Sequence, residues 1–298
     1  MLLAIYPRYK RVSNSSAPSE FVWEKFDFSR CDGVESNVYA WAVCSMLCFV
    51  FGFPATVAVL WEMFKICRRS TALSPNDFFI LNLSTMDAVF LVFIPPGIMN
   101  HFIWMYWDFE AVWNSVYALN SSGRPLLMAC TCLDCYLAVV HPVVYHRRKG
   151  LAPRVAMAGI VWALTIASGI AYFLVYKLYY SMFPVVVFLI AFVIIVICDG
   201  FIIHTLKKSG PGRNNIHPQK QRAIQTVIFS LVMVVISYLP PILLFLIGGP
   251  LMPSDKMFIC TIGIPITVTS TLGSVVMPLL YLYNAGKLDF LKVGCCKL

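Results

Sequence analysis

Charge is scarce in this sequence. Only 12% of its 298 residues are Asp, Glu, Lys or Arg, while 59% are hydrophobic and the mean hydropathy is +0.77. It also lacks metal-spaced histidine and cysteine clusters and any nucleophile–base motif, and its five histidines are scattered. These absences argue against an enzyme and against a metal or cofactor site. A soluble domain of this length could not hide so much apolar surface.

Seven long apolar stretches occupy most of the chain. A bilayer core needs about 20 apolar residues per helix, and lipid cannot satisfy free backbone groups, so each stretch is expected to be a helix. The predicted spans are Val38–Phe64, Phe78–Tyr106, Val112–Val140, Val155–Tyr176, Phe183–Leu206, Ala223–Ile247 and Met257–Tyr283. No inverted repeat is visible, which disfavours a transporter.

The predicted fold is therefore an all-α membrane protein, a seven-transmembrane helix bundle. We expect an extracellular segment over residues 1–37, the bundle over 38–284, and a cytoplasmic membrane-surface helix and tail over 285–298. Within the tail, Lys287–Lys292 is expected to form a short amphipathic eighth helix on the inner surface.

Loop cations predict the orientation. With the amino terminus outside, fifteen of the 23 Lys and Arg residues fall in the cytoplasmic connections and tail, and seven fall outside. The positive-inside rule then favours a plasma-membrane protein with an external amino terminus. Inner-leaflet lipid explains the net charge of +9 without nucleic acid. No cleavable signal is expected, because Met1–Tyr6 is too short for an apolar signal region.

Two covalent modifications are expected. Asn14 begins an Asn-Ser-Ser glycosylation sequon in the external segment. Cys295 and Cys296 lie beside lysines just past the last span, which suits palmitoylation, although unmodified thiols are the alternative. Two further sequons, at Asn82 and Asn120, fall inside predicted spans and should stay bare.

Short motifs occur in a characteristic order along the spans. The most specific is Asp-Cys-Tyr-Leu-Ala-Val-Val-His-Pro at residues 134–142. The others are Gly52–Thr56, Leu81–Asp87, Trp162, Ser237–Pro240 and Met277–Tyr281. With seven helices and an external amino terminus, this chain resembles a divergent member of the rhodopsin-like (class A) G-protein-coupled receptors.

The resemblance implies a cell-surface receptor that couples an extracellular ligand to heterotrimeric G proteins, with a dimer as a possible state. Cys135 stands where the family has an arginine that contacts the G protein, and Asp199 stands near a fifth-helix tyrosine. A non-signalling receptor-like protein (a scavenger, chaperone or dimer partner) is therefore the alternative. Implied switch residues are Asp134, Cys135, Tyr136, Asp199, Tyr238, Pro240, Pro278 and Tyr281.

The ligand class stays open. The aligned positions carry no amine-binding aspartate near Tyr117, no opsin lysine near Thr271, and no basic residues near Ile242. Lipid-like, hydrophobic and peptide ligands remain. In the resembling fold the first and seventh helices are adjacent, so a disulfide between Cys31 and Cys260 is favoured over two free thiols.

An ion pair between Asp87 and Arg124 is the sharpest prediction. An ionisable residue in a span is costly and usually has a partner inside the bundle. Both side chains lie about 14 Å from the cytoplasmic end, and the resemblance makes their helices neighbours. The matching aspartate helps bind sodium in many family members, so Arg124 would supply a fixed cation instead. The alternative is that Arg124 snorkels or meets backbone carbonyls.

Two further aspartates are expected to face the cytoplasmic half of the bundle. Asp199 should find a donor on the third or sixth helix, or stay neutral. Asp134 lacks its neighbouring arginine, so we expect a bond to Arg147, Arg148 or Tyr145.

Overall fold

A computed structural model describes residues 35–69, 75–104, 106–147, 150–174, 183–208, 218–251 and 264–285. Five predicted features lie outside these residues: the Asn14 sequon, the Cys31–Cys260 bridge, the palmitoylated cysteines, most of the amino-terminal segment and the eighth helix. The described residues form seven helical spans, so the predicted seven-helix fold is confirmed.

Four spans are continuous helices: the first, fourth, fifth and seventh. They run over Glu35–Arg68, Ala152–Leu174, Phe183–Lys208 and Ile264–Asn284. The seventh has 21 residues, which at 1.5 Å per residue is about 31 Å and matches the bilayer core. Across the described residues, six helical segments, covering the first six spans, are long and apolar enough to cross a membrane by length and composition.

The second, third and sixth spans each contain a π-helical turn. The second comprises Pro75–Val92, Ile94–Met99 and the turn Asn100–Trp104. The third comprises Trp107–Ala118, the turn Leu119–Gly123 and Arg124–Val140. The sixth comprises Pro218–Met233, the turn Val234–Tyr238 and Leu239–Leu251. A short helix, Pro142–Arg147, follows the third span.

Prolines account for two of these wide turns. Pro125 and Pro240 cannot donate a hydrogen bond to the preceding turn, so the helix must widen there. The N–H of Arg124 reaches the carbonyl of Leu119, and the N–H of Leu239 reaches that of Val234. Pro240, which the sequence motif singles out, thus follows a wide turn of the sixth span, whereas nothing in the sequence motifs points to Pro125.

The third span lies at the centre of the bundle, where its two helices and its turn contact the second, fourth, fifth, sixth and seventh spans. The first span packs against the second and seventh. The main apolar cluster joins the third, fifth and sixth spans through Leu127, Cys132, Ile195 and Met233, each fully buried. Polar side chains of the third span are therefore enclosed on all sides.

Candidate functional site

The guanidinium of Arg124 joins three spans at the centre of the bundle. Arg124 is 1% exposed, and its Nη2 lies 3.5 Å from Oδ2 of Asp87 on the second span. Its Nη1 donates to Oγ of Ser274 at 2.8 Å, and its Nη2 donates to the carbonyl of Gly273. The structure thus brings together the two charges that the sequence pairs, and adds the seventh span to the contact.

Gly273 makes room for this guanidinium. A Cβ added at Gly273 would lie 2.7 Å from Nη1 of Arg124 and 2.5 Å from Oγ of Ser237. Both distances are shorter than real Cβ contacts, so a larger residue would require the guanidinium or the Ser237 hydroxyl to shift. Because Gly273 has no side chain, the guanidinium of Arg124 also reaches the backbone carbonyl of Gly273.

The central pair is electrically balanced and shielded from water. Asp87 is 3% exposed, and its charge is offset by the arginine beside it. Within the described residues, Nε of Arg124 and Oδ2 of Asp87 have no hydrogen-bond partner. A carboxylate that already faces a guanidinium gains little from a second cation, because the like charges would repel at this distance.

The π-helical turn of the third span buries three further polar side chains. Asn120, Ser121 and Ser122 are each at most 3% exposed. Both polar atoms of the Asn120 amide lack a hydrogen-bond partner among the described residues. Buried amides usually bind protein groups or ordered water. The sequon at Asn120 is therefore inaccessible for glycosylation, as the sequence predicts.

At the end of the third span that the sequence predicts to be cytoplasmic, Asp134 pairs with Arg154 of the fourth span. The distance from Nε of Arg154 to Oδ1 of Asp134 is 2.9 Å, and Nη1 donates to the carbonyl of Gly150 at 2.9 Å. Arg154 is 3% exposed, and its guanidinium lies 5.0 Å from the ring centroid of Tyr145. The sequence-based expectation of Arg147, Arg148 or Tyr145 does not include Arg154, which turns inward at the start of its helix; the side chains of Arg147 and Arg148 lie outside the described part of the structure.

Asp199 faces the interior, not lipid. It is 2% exposed, and one carboxylate oxygen accepts a hydrogen bond from Ser230 on the sixth span. Its other oxygen has no hydrogen-bond partner in the described part of the chain. The sequence predicts a hydrogen-bond donor for this carboxylate on the third or the sixth helix, and Ser230 is such a donor on the sixth.

Cys135 and Tyr136 point toward the fifth and sixth spans. The half-buried thiol of Cys135 packs with Ile202 and Val227. The hydroxyl of Tyr136 lies 3.2 Å from Nε2 of His141, and its ring contacts Phe201 with centroids 5.8 Å apart. An apolar lining thus replaces the arginine expected from the family at this depth.

The remaining predicted switch residues belong to the sixth and seventh spans. Tyr238 is 1% exposed and its ring contacts Phe188 with centroids 5.7 Å apart. Pro240 follows the wide turn of the sixth span, and Pro278 lies within the seventh. Tyr281 packs where the first, second and seventh spans meet.

Two more polar contacts join neighbouring spans. The hydroxyls of Tyr117 and Ser270 lie 2.5 Å apart and connect the third span to the seventh. Nε1 of Trp162 donates to Oδ1 of Asn82 at 3.0 Å and connects the fourth span to the second. No group of three His, Cys, Asp or Glu suited to a metal occurs in the ranges described.

Sequence reasoning missed four residues of these contacts: Arg154, Ser270, Gly273 and Ser274. Small polar residues at 270, 273 and 274 share one face of a helix, a spacing that could have drawn attention to the seventh span. Nothing in the sequence separates Arg154 from the loop cations before it.

Known proteins match part of this chain, and the family match runs from within the first span to just before the fifth. The family model described as 7 transmembrane receptor (rhodopsin family) matches residues 56–181. Human proteinase-activated receptor 3 is 28% identical over 54% of this chain and 50% of its own length. Human chemerin-like receptor 2 is 30% identical over 46% of this chain and 39% of its own length. The matches thus span half or less of these curated relatives.

Proposed function

Because this chain belongs to the rhodopsin family of seven-transmembrane receptors, we propose that it couples an extracellular ligand to cytoplasmic heterotrimeric G proteins. Membership of this family indicates a cell-surface receptor. The extracellular ligand, the coupling to G proteins and the external amino terminus are what we propose. The loop cations support the orientation, since fifteen of 23 would face the cytoplasm.

The buried contact of Arg124 with two other spans is the observation that carries this function. A receptor signals by shifting between two helix packings, with the ligand binding one of them more tightly. One guanidinium touches Asp87 on the second span and Ser274 on the seventh. Sliding of the seventh span by about an ångström would exchange these contacts, so the site is suited to distinguish two packings.

The same guanidinium acts as a tethered cation. In many members of the family the matching aspartate helps bind sodium, whereas here a covalently attached charge lies 3.5 Å from Asp87. We therefore propose that sodium does not regulate this receptor. The central contact responds to ligand through helix position rather than through ion occupancy.

Coupling is weaker than is usual for the family. Arginine is a long, permanently charged side chain with several donors, and Cys135 offers neither its charge nor its reach. The neighbouring Asp134 is instead held by Arg154, which ties the third span to the fourth. Basic cytoplasmic loops and Tyr136 remain as the docking surface for a G protein.

The ligand reaches the outer half of the bundle near Tyr117, whose hydroxyl contacts Ser270. The surrounding side chains are aromatic, with Phe90 and Trp113 stacked at 6.1 Å. This lining suits a lipid-like, hydrophobic or peptide ligand. One relative is named as a proteinase-activated receptor, so proteinases belong in the set of stimuli to be tested.

A non-signalling role is the second candidate, and Cys135 is the observation that favours it. The two roles separate in cells that express this chain with G-protein and arrestin reporters. Candidate lipids, peptides and proteinases are applied to the wild type and to Cys135→Arg. Cys135→Ser is the matched control, because it keeps the size of the side chain without adding charge.

We expect low basal and stimulated G-protein activity in the wild type, a rise in Cys135→Arg, and no rise in Cys135→Ser. Surface expression of the three proteins must be equal. If Cys135→Arg reaches the surface and leaves both activities unchanged, the arginine deficit does not limit coupling. If no stimulus acts through either variant, the non-signalling role is favoured.

A further inference from the structure

An apolar trough runs along the cytoplasmic half of the first span. Its volume is about 860 Å³, and its walls include Val57, Trp61, Phe64 and Cys67, with Leu81 of the second span at one side. Val57 is 45%, Trp61 57% and Phe64 55% exposed. The trough therefore opens to the surrounding lipid rather than to the interior of the bundle.

Cations lie at one end of this trough. Arg68 and Arg69 follow Cys67 directly and are exposed, and neither forms an ion pair with another described residue. Lys65 differs from them, because its Nζ lies 3.1 Å from Oε1 of Glu62 and 5.6 Å from the ring centroid of Trp61. Two charges thus have no counter-charge among the described residues and can attract an anion from outside the chain.

The length of the trough matches one leaflet of a bilayer. Val57 and Arg68 are eleven residues apart in one helix, which is about 16 Å at 1.5 Å per residue. Half of a hydrocarbon core about 30 Å thick is about 15 Å. An acyl chain lying along Val57, Trp61 and Phe64 would place its headgroup beside Arg68 and Arg69.

We propose that this trough binds an anionic phospholipid of the inner leaflet. The acyl chain lies along the apolar wall, and the phosphate and carboxylate of a phosphatidylserine headgroup meet the two arginines. Zwitterionic phosphatidylcholine fits the same wall but lacks the net negative charge that the arginines complement. The term inner leaflet rests on the proposed orientation of the chain.

Trp61 provides the test, since bromine on an acyl chain quenches the fluorescence of a tryptophan that it touches. The full chain is placed in nanodiscs of phosphatidylcholine that contain equal fractions of brominated phosphatidylserine or brominated phosphatidylcholine. The contribution of Trp61 is the difference between the wild type and Trp61→Phe, which leaves the other six tryptophans in place. Both leaflets carry the same lipids, so the result does not depend on orientation.

We expect brominated phosphatidylserine to occupy the site roughly thirty-fold more readily than brominated phosphatidylcholine, the factor that two surface arginines supply together. Arg68→Gln/Arg69→Gln should remove this preference. Lys207→Gln, an exposed cation at the end of the fifth span, should keep it. Val57→Phe, which fills the trough and leaves both arginines, should reduce quenching by either lipid.

Equal quenching by the two lipids in the wild type would overturn the proposal, as would a preference that survives in Arg68→Gln/Arg69→Gln. Orientation is measured separately, by mapping the reaction of Cys67 with an impermeant thiol reagent. Cys67 is exposed, and we expect it to react only in permeabilised cells. A reaction in intact cells would reverse the orientation without changing the lipid preference in nanodiscs.

Discussion

Replacing Arg124 with serine should make the receptor sensitive to sodium. The substitution removes the ion pair with Asp87 and the hydrogen bonds to Ser274 and to the carbonyl of Gly273. Asp87, only 3% exposed, then keeps a charge without a partner. A sodium ion can then enter the space that the guanidinium leaves, with water filling the remainder, and restore the charge balance.

The expected cost follows from the burial of the pair. Removing one partner of a buried ion pair destabilises a protein by about 3–5 kcal/mol. For a protein of this size, that corresponds to a fall in unfolding temperature of roughly 10 °C. Sodium at ten times its dissociation constant would return about 1.4 kcal/mol by mass action, which is several degrees of the loss.

The unfolding temperature is measured with a dye that reacts with thiols as they become exposed. Cys48, Cys132 and Cys198 are buried and report on the bundle. Wild type and Arg124→Ser are heated in sodium chloride, potassium chloride and choline chloride at equal ionic strength. The wild type should unfold at the same temperature in all three salts, and Arg124→Ser should unfold at a higher temperature in sodium.

A control variant separates a sodium site from a general salt effect. Asp87→Asn/Arg124→Ser lacks the carboxylate that would bind the cation, so its unfolding temperature should not depend on sodium. A sodium-dependent wild type would refute the tethered-cation argument. So would a folded Arg124→Ser that unfolds identically in sodium and choline.

Three smaller predictions complete the set. Arg154→Gln should destabilise the receptor by about 1.5–3 kcal/mol, since it removes the charged hydrogen bond to Asp134; an unchanged unfolding temperature would show that this contact is not stabilising. Gly273→Ala should lower the unfolding temperature, because the added methyl group meets the buried guanidinium, whereas alanine at Gly159, where nothing lies within 4 Å, is the neutral control. Peptide mapping without reduction should recover Cys31 joined to Cys260, a bridge outside the described residues; two free thiols from correctly surfaced protein would contradict it.

Some of this architecture follows from the sequence because membrane physics allows few solutions. Long apolar stretches must be helices in lipid, and their number and spacing follow directly. Asp87 and Arg124 could be paired in advance, because the fixed rise of a helix gives each a depth and a buried charge needs a partner. The prediction needs only the depth of each charged residue in its helix and the fact that the second and third helices are neighbours in the resembling fold.

Other features depend on packing that no local pattern specifies. Arg154 follows a cluster of loop cations, and only the position of the fourth helix turns it inward to Asp134. To predict the wide turn before Arg124, Pro125 must be placed inside a helix. A proline two residues after Gly123 is instead typical of a helix end. The contact with Gly273 arises where the third and seventh spans meet, far apart in sequence.

The space at Gly273 couples substitutions at this position to substitutions at Arg124. A Cβ at residue 273 meets the guanidinium of Arg124, so bulkier packing there requires the arginine to move or to be replaced. Replacing the arginine first leaves Asp87 unpaired, and enlarging Gly273 first crowds the guanidinium, so either single change carries a cost. The effects of the two substitutions on stability are therefore expected to be non-additive.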